Sequence, residues 1–261
     1  MMRIWSLILL VLAVGCAPHA RLAQLPEGAT PVAVIPVLTA TNRLTPENVP
    51  GPDRSEAMSY SRVDIAVPPE RGAGEFDYAS RSVDPDTQFL VDRQVLYPDA
   101  RAFRRALSRQ LRALPAADRD VLIFVHGFNN NFADGVLRMG QLTHDLGLKG
   151  AAVHFSWPSA ANPLAYAYDR DSALFSRDAL EDLIAQVQVP EARRVAIIAH
   201  SMGGFLTMET LRQMAIAKPG SVRREIDGVI LFSPDLDVDL FRTQARRIGA
   251  LPQTFAVFLS D

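Results

Sequence analysis

Apolar positions along the chain fall into two regimes. Up to about residue 100 they come in separated patches. Val32 to Leu38 is an apolar, β-branched run and predicts a strand. Tyr60 to Val67 alternates loosely and predicts a second. The intervening stretch 44–59 carries three prolines and reads as a surface loop, and 68–99 is rich in Pro, Gly and Asp with one short apolar patch, Phe89 to Val91. From residue 101 helical and strand patterns alternate. Arg101 to Leu114, Ala133 to Leu146, Ser172 to Val187 and Met202 to Ile216 show helical spacing, with Asp171 or Ser172 as a plausible N-cap for the third. Between and after them lie Val121 to Val125, Ala151 to Phe155, Val195 to Ala199, Ile226 to Phe232 and Thr254 to Leu259, apolar nearly throughout. Strands without polar alternation, separated by helices, imply a mostly parallel sheet covered on both faces. The expected fold class is α/β, doubly wound.

Composition changes this picture little. With 48% hydrophobic and 21% charged residues the chain is globular, and 261 residues suffice for one large α/β domain. The formal net charge of −2 provides no global positive field, and the arginines form no cluster, so nucleic acid is not an expected partner. A single cysteine, Cys16, excludes an internal disulfide framework and a cysteine-cluster metal site. No cofactor or metal is expected.

The placement of Cys16 matters more than its number. Met1, Met2 and Arg3 precede an apolar run, Ile4 to Val14, that is too short to span the roughly 30 Å of a bilayer core and has the proportions of an export signal. Ala13-Val14-Gly15-Cys16 resembles the lipobox of bacterial lipoproteins, in which the cysteine becomes the lipidated first residue; Ala13 stands where Leu is most usual. An ordinary signal peptide with a chance cysteine is the other reading. The expected organisation is a signal peptide over 1–15, a polar tether over 16–31 beginning at a lipidated Cys16, and one domain over 32–261. The expected location is the cell envelope, on the periplasmic side of a membrane.

In parallel sheets, ligands collect at the carboxyl ends of the strands. After Val195 to Ala199 comes His200-Ser201-Met202-Gly203-Gly204 and then a helix. A serine on a tight turn between strand and helix is the context of a nucleophile elbow, where bulk two residues either side would clash with neighbouring elements. Gly203 meets this need, and Ala199 departs from it by one methyl. After Val121 to Val125 comes His126-Gly127-Phe128-Asn129-Asn130-Asn131. A loop there supplies one oxyanion donor in such enzymes and the residue after the nucleophile supplies the other, which designates the backbone N–H groups of Phe128 and Met202. An Asn-rich structural turn explains the second motif alone but not the pair.

Together VLIFVHGFNNNF, VHFSWPS, VAIIAHSMGG and VILFSPDLDVDLF resemble the α/β-hydrolase fold, and more narrowly a bacterial family of uncharacterised serine esterase/lipase-like proteins. VIPVLTATNR and YSRVDIAVPPERGAGEF fit that family's N-terminal region, so the resemblance runs over about residues 32 to 260. It implies hydrolysis of a small-molecule ester or acyl substrate through an acyl-enzyme at Ser201, without a metal.

A serine nucleophile needs a base and an orienting acid, in chain order Ser, Asp or Glu, His. The five histidines are His19, His126, His144, His154 and His200, and none follows Ser201. His19 lies in the tether, His126 in the oxyanion loop, His144 on a helix and His154 within a strand. His200 adjoins the serine, where elbow side chains diverge. Asp235, just beyond the Ile226 to Phe232 strand, is a possible acid; capping or bracing a turn is its alternative role. The resemblance places the acid a few residues after the next strand, Thr254 to Leu259; Asp261 is a possible acid there, although the family pattern would place it slightly later. Two expectations follow: a closing strand, helix and histidine lie beyond Asp261, or the chain is a catalytically impaired envelope protein that uses the fold for binding. Residues 156–170, with Trp157, Tyr166 and Tyr168, are candidates for lining an apolar pocket or for ordinary packing. Oligomeric state is not legible.

Overall fold

The computed structural model describes residues 18–259. The signal segment, Cys16 and Asp261 lie outside the described residues.

Eight strands form one sheet in the order β3-β2-β1-β5-β4-β6-β7-β8. β1 (Ala33–Arg43), β2 (Arg54–Val67) and β3 (Leu90–Tyr97) are an antiparallel meander. β4 (Asp120–Val125), β5 (Ala151–Ser156), β6 (Arg194–His200), β7 (Gly228–Phe232) and β8 (Thr254–Phe258) are parallel. β1 joins the two halves by pairing in parallel with β5, Val37 opposite Ala152 through Thr41 opposite Ser156. The sheet is therefore mostly parallel and doubly wound, as its apolar strands require.

Helices cover both faces. On one side lie α1 (Ala100–Arg112), α3 (Tyr166–Phe175), α4 (Arg177–Gln186), α5 (Met202–Ala217) and α7 (Val238–Ile248), with the short α6 (Ser221–Glu225) following α5. Phe103 and Leu107, Leu180 and Leu183, and Phe205 and Met208 pack there against Val121, Ile123, Val195 and Ile197. On the other side α2 (Phe132–Asp145) presses Phe132, Val136 and Leu137 onto Phe124, Ala152 and Ile198. Gly140 makes this contact possible, since a Cβ there would lie 2.9 Å from the Ile65 side chain.

Four local expectations need correction. β3 extends to Tyr97 because its outer residues Asp92 to Leu96 are exposed on an edge, so no apolar pattern marks them. The 44–59 loop ends early, since β2 begins at Arg54 and pairs Arg54 with Arg43. The helix expected over 172–187 is two helices that break at Ser176, whose buried Oγ donates to the Ser172 carbonyl at 2.7 Å and is met by Asn42. Asp171 and Ser172 accordingly sit inside α3 rather than at its cap.

The tether is the fourth. Its described part is strapped to the domain. His19 Nδ1 lies 2.7 Å from Asp134 Oδ2, and the Ala20 N–H donates to Asp134 Oδ1 at 2.8 Å. Asn131 Nδ2 donates to the Ala20 carbonyl at 2.8 Å. Further along, Ala23 and Leu25 pair with Val91, and Ala20 and Ala23 are buried. Ala20 and Ala23 are small enough to fit under loops 68–89, which is why a polar-looking segment docks.

Candidate active site

β6 delivers Ser201 into a turn of φ 51° and ψ −123°, and α5 starts at the next residue. A non-glycine residue at positive φ costs on the order of 1–3 kcal/mol and persists only where surrounding contacts over-determine it. Here the Ser201 N–H donates to the Phe232 carbonyl at 3.0 Å, and its own carbonyl accepts from Gly204 at 2.8 Å and from Asp235 at 3.1 Å. The small-residue requirement is met in space. A Cβ on Gly203 would stand 2.4 Å from the His126 carbonyl oxygen and 2.5 Å from that of Val125. One on Gly127 would stand 3.0 Å from Ser201 Cβ and 2.8 Å from His200 Nδ1. Ala199 is fully buried and its methyl is accommodated.

The loop from His126 to Asn131 runs from β4 to α2 alongside this turn. Among the described residues, the N–H groups of Phe128 and Met202 donate to no backbone or side-chain acceptor. Two free donors flanking a serine at the start of a helix suit a developing negative charge. The loop ends in a capping box: the Asn131 side chain accepts from the Asp134 N–H, and the Asp134 carboxylate accepts from the Asn131 N–H, both at 2.8 Å.

What holds the loop is a polar network that sequence reasoning missed. Asp169 on α3 is fully buried and accepts from the Asn129 N–H (3.2 Å), the Ser159 hydroxyl (2.5 Å) and the Ala160 N–H (2.6 Å). Asn129 itself needs this support, since its φ is 56°. Arg43, at the end of β1 and 1% exposed, donates to the Asn130 carbonyl (2.8 Å), the Ser159 carbonyl (2.9 Å), Ser156 Oγ (2.9 Å) and the Gly51 carbonyl (3.1 Å). Burial lowers the Arg43 pKa to about 10, opposed by the charges of Asp169 and Asp134, so it stays a cation at neutral pH. An arginine closing a buried strand, as in TATNR, was the available signal.

Of the acid candidates, Asp235 lies beside Ser201 and Asp261 lies outside the described residues. Asp235 Oδ2 accepts from the Tyr166 hydroxyl at 2.7 Å, which raises the Tyr166 pKa, and the Asp235 N–H braces the elbow. Its carboxylate therefore faces a tyrosine while its N–H faces the elbow. Asp237 caps α7 through bonds from Asp239 and Leu240. His126 stacks on Trp157 with ring centroids 4.8 Å apart, and the Trp157 indole N–H donates to the His126 carbonyl at 2.8 Å. Burial and then the Arg43 charge push the His126 pKa well below the ordinary imidazole value. His154 is buried, with Nδ1 3.2 Å from the Phe124 carbonyl and Nε2 without a partner; burial lowers its pKa to about 3. His144 bonds Asp145 at 3.1 Å and His19 is held by Asp134. Among the described residues none of these four hydrogen-bonds Ser201, and the His200 ring lies over Gly127.

The pocket-lining candidates part likewise. Trp157 is fully buried beneath the loop. Tyr166 meets the Phe128 ring edge-on at 5.4 Å, and Tyr168 carries the Arg54 guanidinium at 4.6 Å over its ring. Among the described residues no group of acidic, histidine or cysteine side chains has the arrangement of a metal site.

A doubly wound sheet whose central strand feeds a strained serine turn and a helix defines the class: this is an α/β-hydrolase fold. Residues 99–261 match a family described as an alpha/beta hydrolase of unknown function (DUF900), and the chain belongs to that family. It is similar to an uncharacterized protein, alr1448, of a Nostoc species, with 38% identity over 65 residues. That match covers 24% of this chain and 17% of the relative's length. Among solved structures it is similar to a Trichoderma reesei cutinase in complex with a phosphonate inhibitor, at 14% identity over 62% of this chain and 75% of that one, with a TM-score of 0.33. It is also similar to the phospholipase PlaB of Legionella pneumophila, at 18% identity over 44% of this chain and 25% of that one, with a TM-score of 0.25.

Proposed function

We propose that the protein is a serine hydrolase of carboxylic esters, held at the cell envelope through a lipid on Cys16. The observation that carries the reading is the strained Ser201 turn beside two unpartnered N–H groups, those of Phe128 and Met202. In this reading Ser201 Oγ bonds to the ester carbonyl carbon and the carbonyl oxygen gathers negative charge between the two N–H groups. The alcohol then leaves and water releases the acid from the serine. Each oxyanion donor contributes about 3 kcal/mol to the transition state. In this reading the Ser201 proton goes to a histidine base, and among the described residues no histidine hydrogen-bonds Ser201.

The engagement of the described histidines with other partners is what a second reading rests on, a hydrolase-fold envelope protein that binds without turnover. Labelling by a fluorophosphonate separates the two in the native full-length protein. The first requires a covalent adduct on Ser201 and p-nitrophenyl ester hydrolysis that Ser201→Ala abolishes. Unchanged hydrolysis in Ser201→Ala would sink it, and a native protein that never labels supports the binding reading.

A further inference from the structure

The strap that replaces the expected tether constrains where a lipid anchor would sit. A free segment from Cys16 to Val32 reaches about 55 Å at full extension. His19 and Ala20, however, are locked to Asp134 and Asn131. Only three residue steps separate Cys16 from His19, a reach of about 11 Å. Asn131 is in turn four residues from Gly127, whose backbone packs against Ser201.

The surface around this point mixes exposed apolar side chains with exposed carboxylates such as Glu47, Asp53, Asp237 and Asp239. The loops beyond the carboxyl ends of β1 and β5 expose Leu44, Val49 and Leu164, and the first residues of α3 and α7 expose Tyr166 and Val238. Leu164 is 93% exposed, and three residues before it Ala161 sits at a positive φ of 51°. Scattered exposed apolar residues need no explanation, but these lie at the carboxyl end of the sheet, the end to which His19 and Ala20 are strapped.

We infer that this face docks on a lipid bilayer, so that Ser201 opens toward the membrane and takes esters embedded in it. The inference rests on the lipid anchor and the ester reading given above. The strap, rather than a long tether, is what orients the face: a short connection keeps the domain's approach to the bilayer intramolecular and fixes which side meets it.

The test uses the full-length lipidated protein in vesicles of phosphatidylethanolamine and phosphatidylglycerol. A bimane label on Leu164→Cys reports contact with brominated lipid, and intact mass reports the lipid on Cys16. Turnover of a vesicle-embedded fluorogenic ester is compared with that of p-nitrophenyl acetate. A variant with a Gly/Ser insertion of about 20 residues between Ala17 and Pro18 leaves the His19 contacts in place. Effective concentration falling as the −3/2 power of length predicts a roughly 20-fold drop in its embedded-to-soluble rate ratio. Bimane quenching together with that drop is the expected result. An anchored protein whose bimane is not quenched overturns the docking, and quenching with an unchanged rate ratio overturns the membrane substrate. Quenching without turnover of either ester supports the docked face and overturns the ester reading instead. A mass without lipid removes the anchor and the inference with it.

Discussion

Replacing Asp169 with alanine tests whether the His126 to Asn131 loop is held from beneath. The carboxylate is fully buried and accepts three bonds, two of them short: Ser159 at 2.5 Å, Ala160 at 2.6 Å and Asn129 at 3.2 Å. Hydrogen bonds to a charged group contribute about 1.5–3 kcal/mol each, and donors left buried without partners add their own desolvation cost. The longest bond contributes least and water enters part of the space, so the expected loss is about 4 kcal/mol. That is a large share of the roughly 5–15 kcal/mol of a typical domain. Asp169→Asn keeps one acceptor, and the Ser159 hydroxyl can turn to accept from the new amide; its loss should be about 1–2 kcal/mol. Urea unfolding followed by tryptophan fluorescence measures both, with an unchanged slope showing that the unfolded state is the same. An Asp169→Ala midpoint within error of the parent would refute the bracing argument. Asp235→Asn is the control, since its carboxylate meets only the exposed Tyr166 hydroxyl and should cost little.

Further predictions concern the turn, a buried histidine and the strap. Gly203→Ala forces a methyl against two carbonyl oxygens at 2.4 and 2.5 Å, so β4 or the elbow must move by about 1 Å. A displacement of that size should slow fluorophosphonate labelling of Ser201 by about 100-fold while thermal unfolding shifts by only a few degrees. His154 has a folded pKa of about 3, so below the unfolded value the unfolded chain takes a proton that the folded one refuses. Stability therefore falls with decreasing pH from about 6.5 toward 3, and His154→Gln should reduce that slope by about 1.4 kcal/mol per pH unit in urea titrations. Asp134→Ala loses the bonds to His19, Ala20 and Asn131. Amide exchange at Ala20 and Ala23 should rise sharply while β4 and β6 stay protected.

The strands at the centre were legible because β4 to β7 are buried on both faces and read as uninterrupted apolar runs. Ser201 was legible for a related reason, since the turn tolerates only small neighbours and Gly203 and Gly204 announce them. The edge strand β3 was not, because Asp92, Arg93 and Gln94 face solvent and erase the pattern. Nor was the break at Ser176, which has neither Pro nor Gly and depends on Asn42, 134 positions away. Arg43 and Asp169 escaped for the same cause. A charged residue reads as surface until its partners are known, and those of Arg43 lie at Ser156, Ser159 and Asn130.

The parallel pairing of β1 with β5 separates the stretch by which the family is recognised from the unit that must fold. Residues 99–261 carry both glycine-flanked motifs, yet on their own they would leave the outer edge of β5 open and the Arg43 site vacant. Val37 meets Ala152 across 115 positions, so the pairing is among the costliest closures in the chain and rewards folding only once both halves exist. An excised 99–261 fragment should thus collapse with its His126 to Asn131 loop unsecured. The boundary of shared ancestry and the boundary of mechanical autonomy fall in different places along this polypeptide.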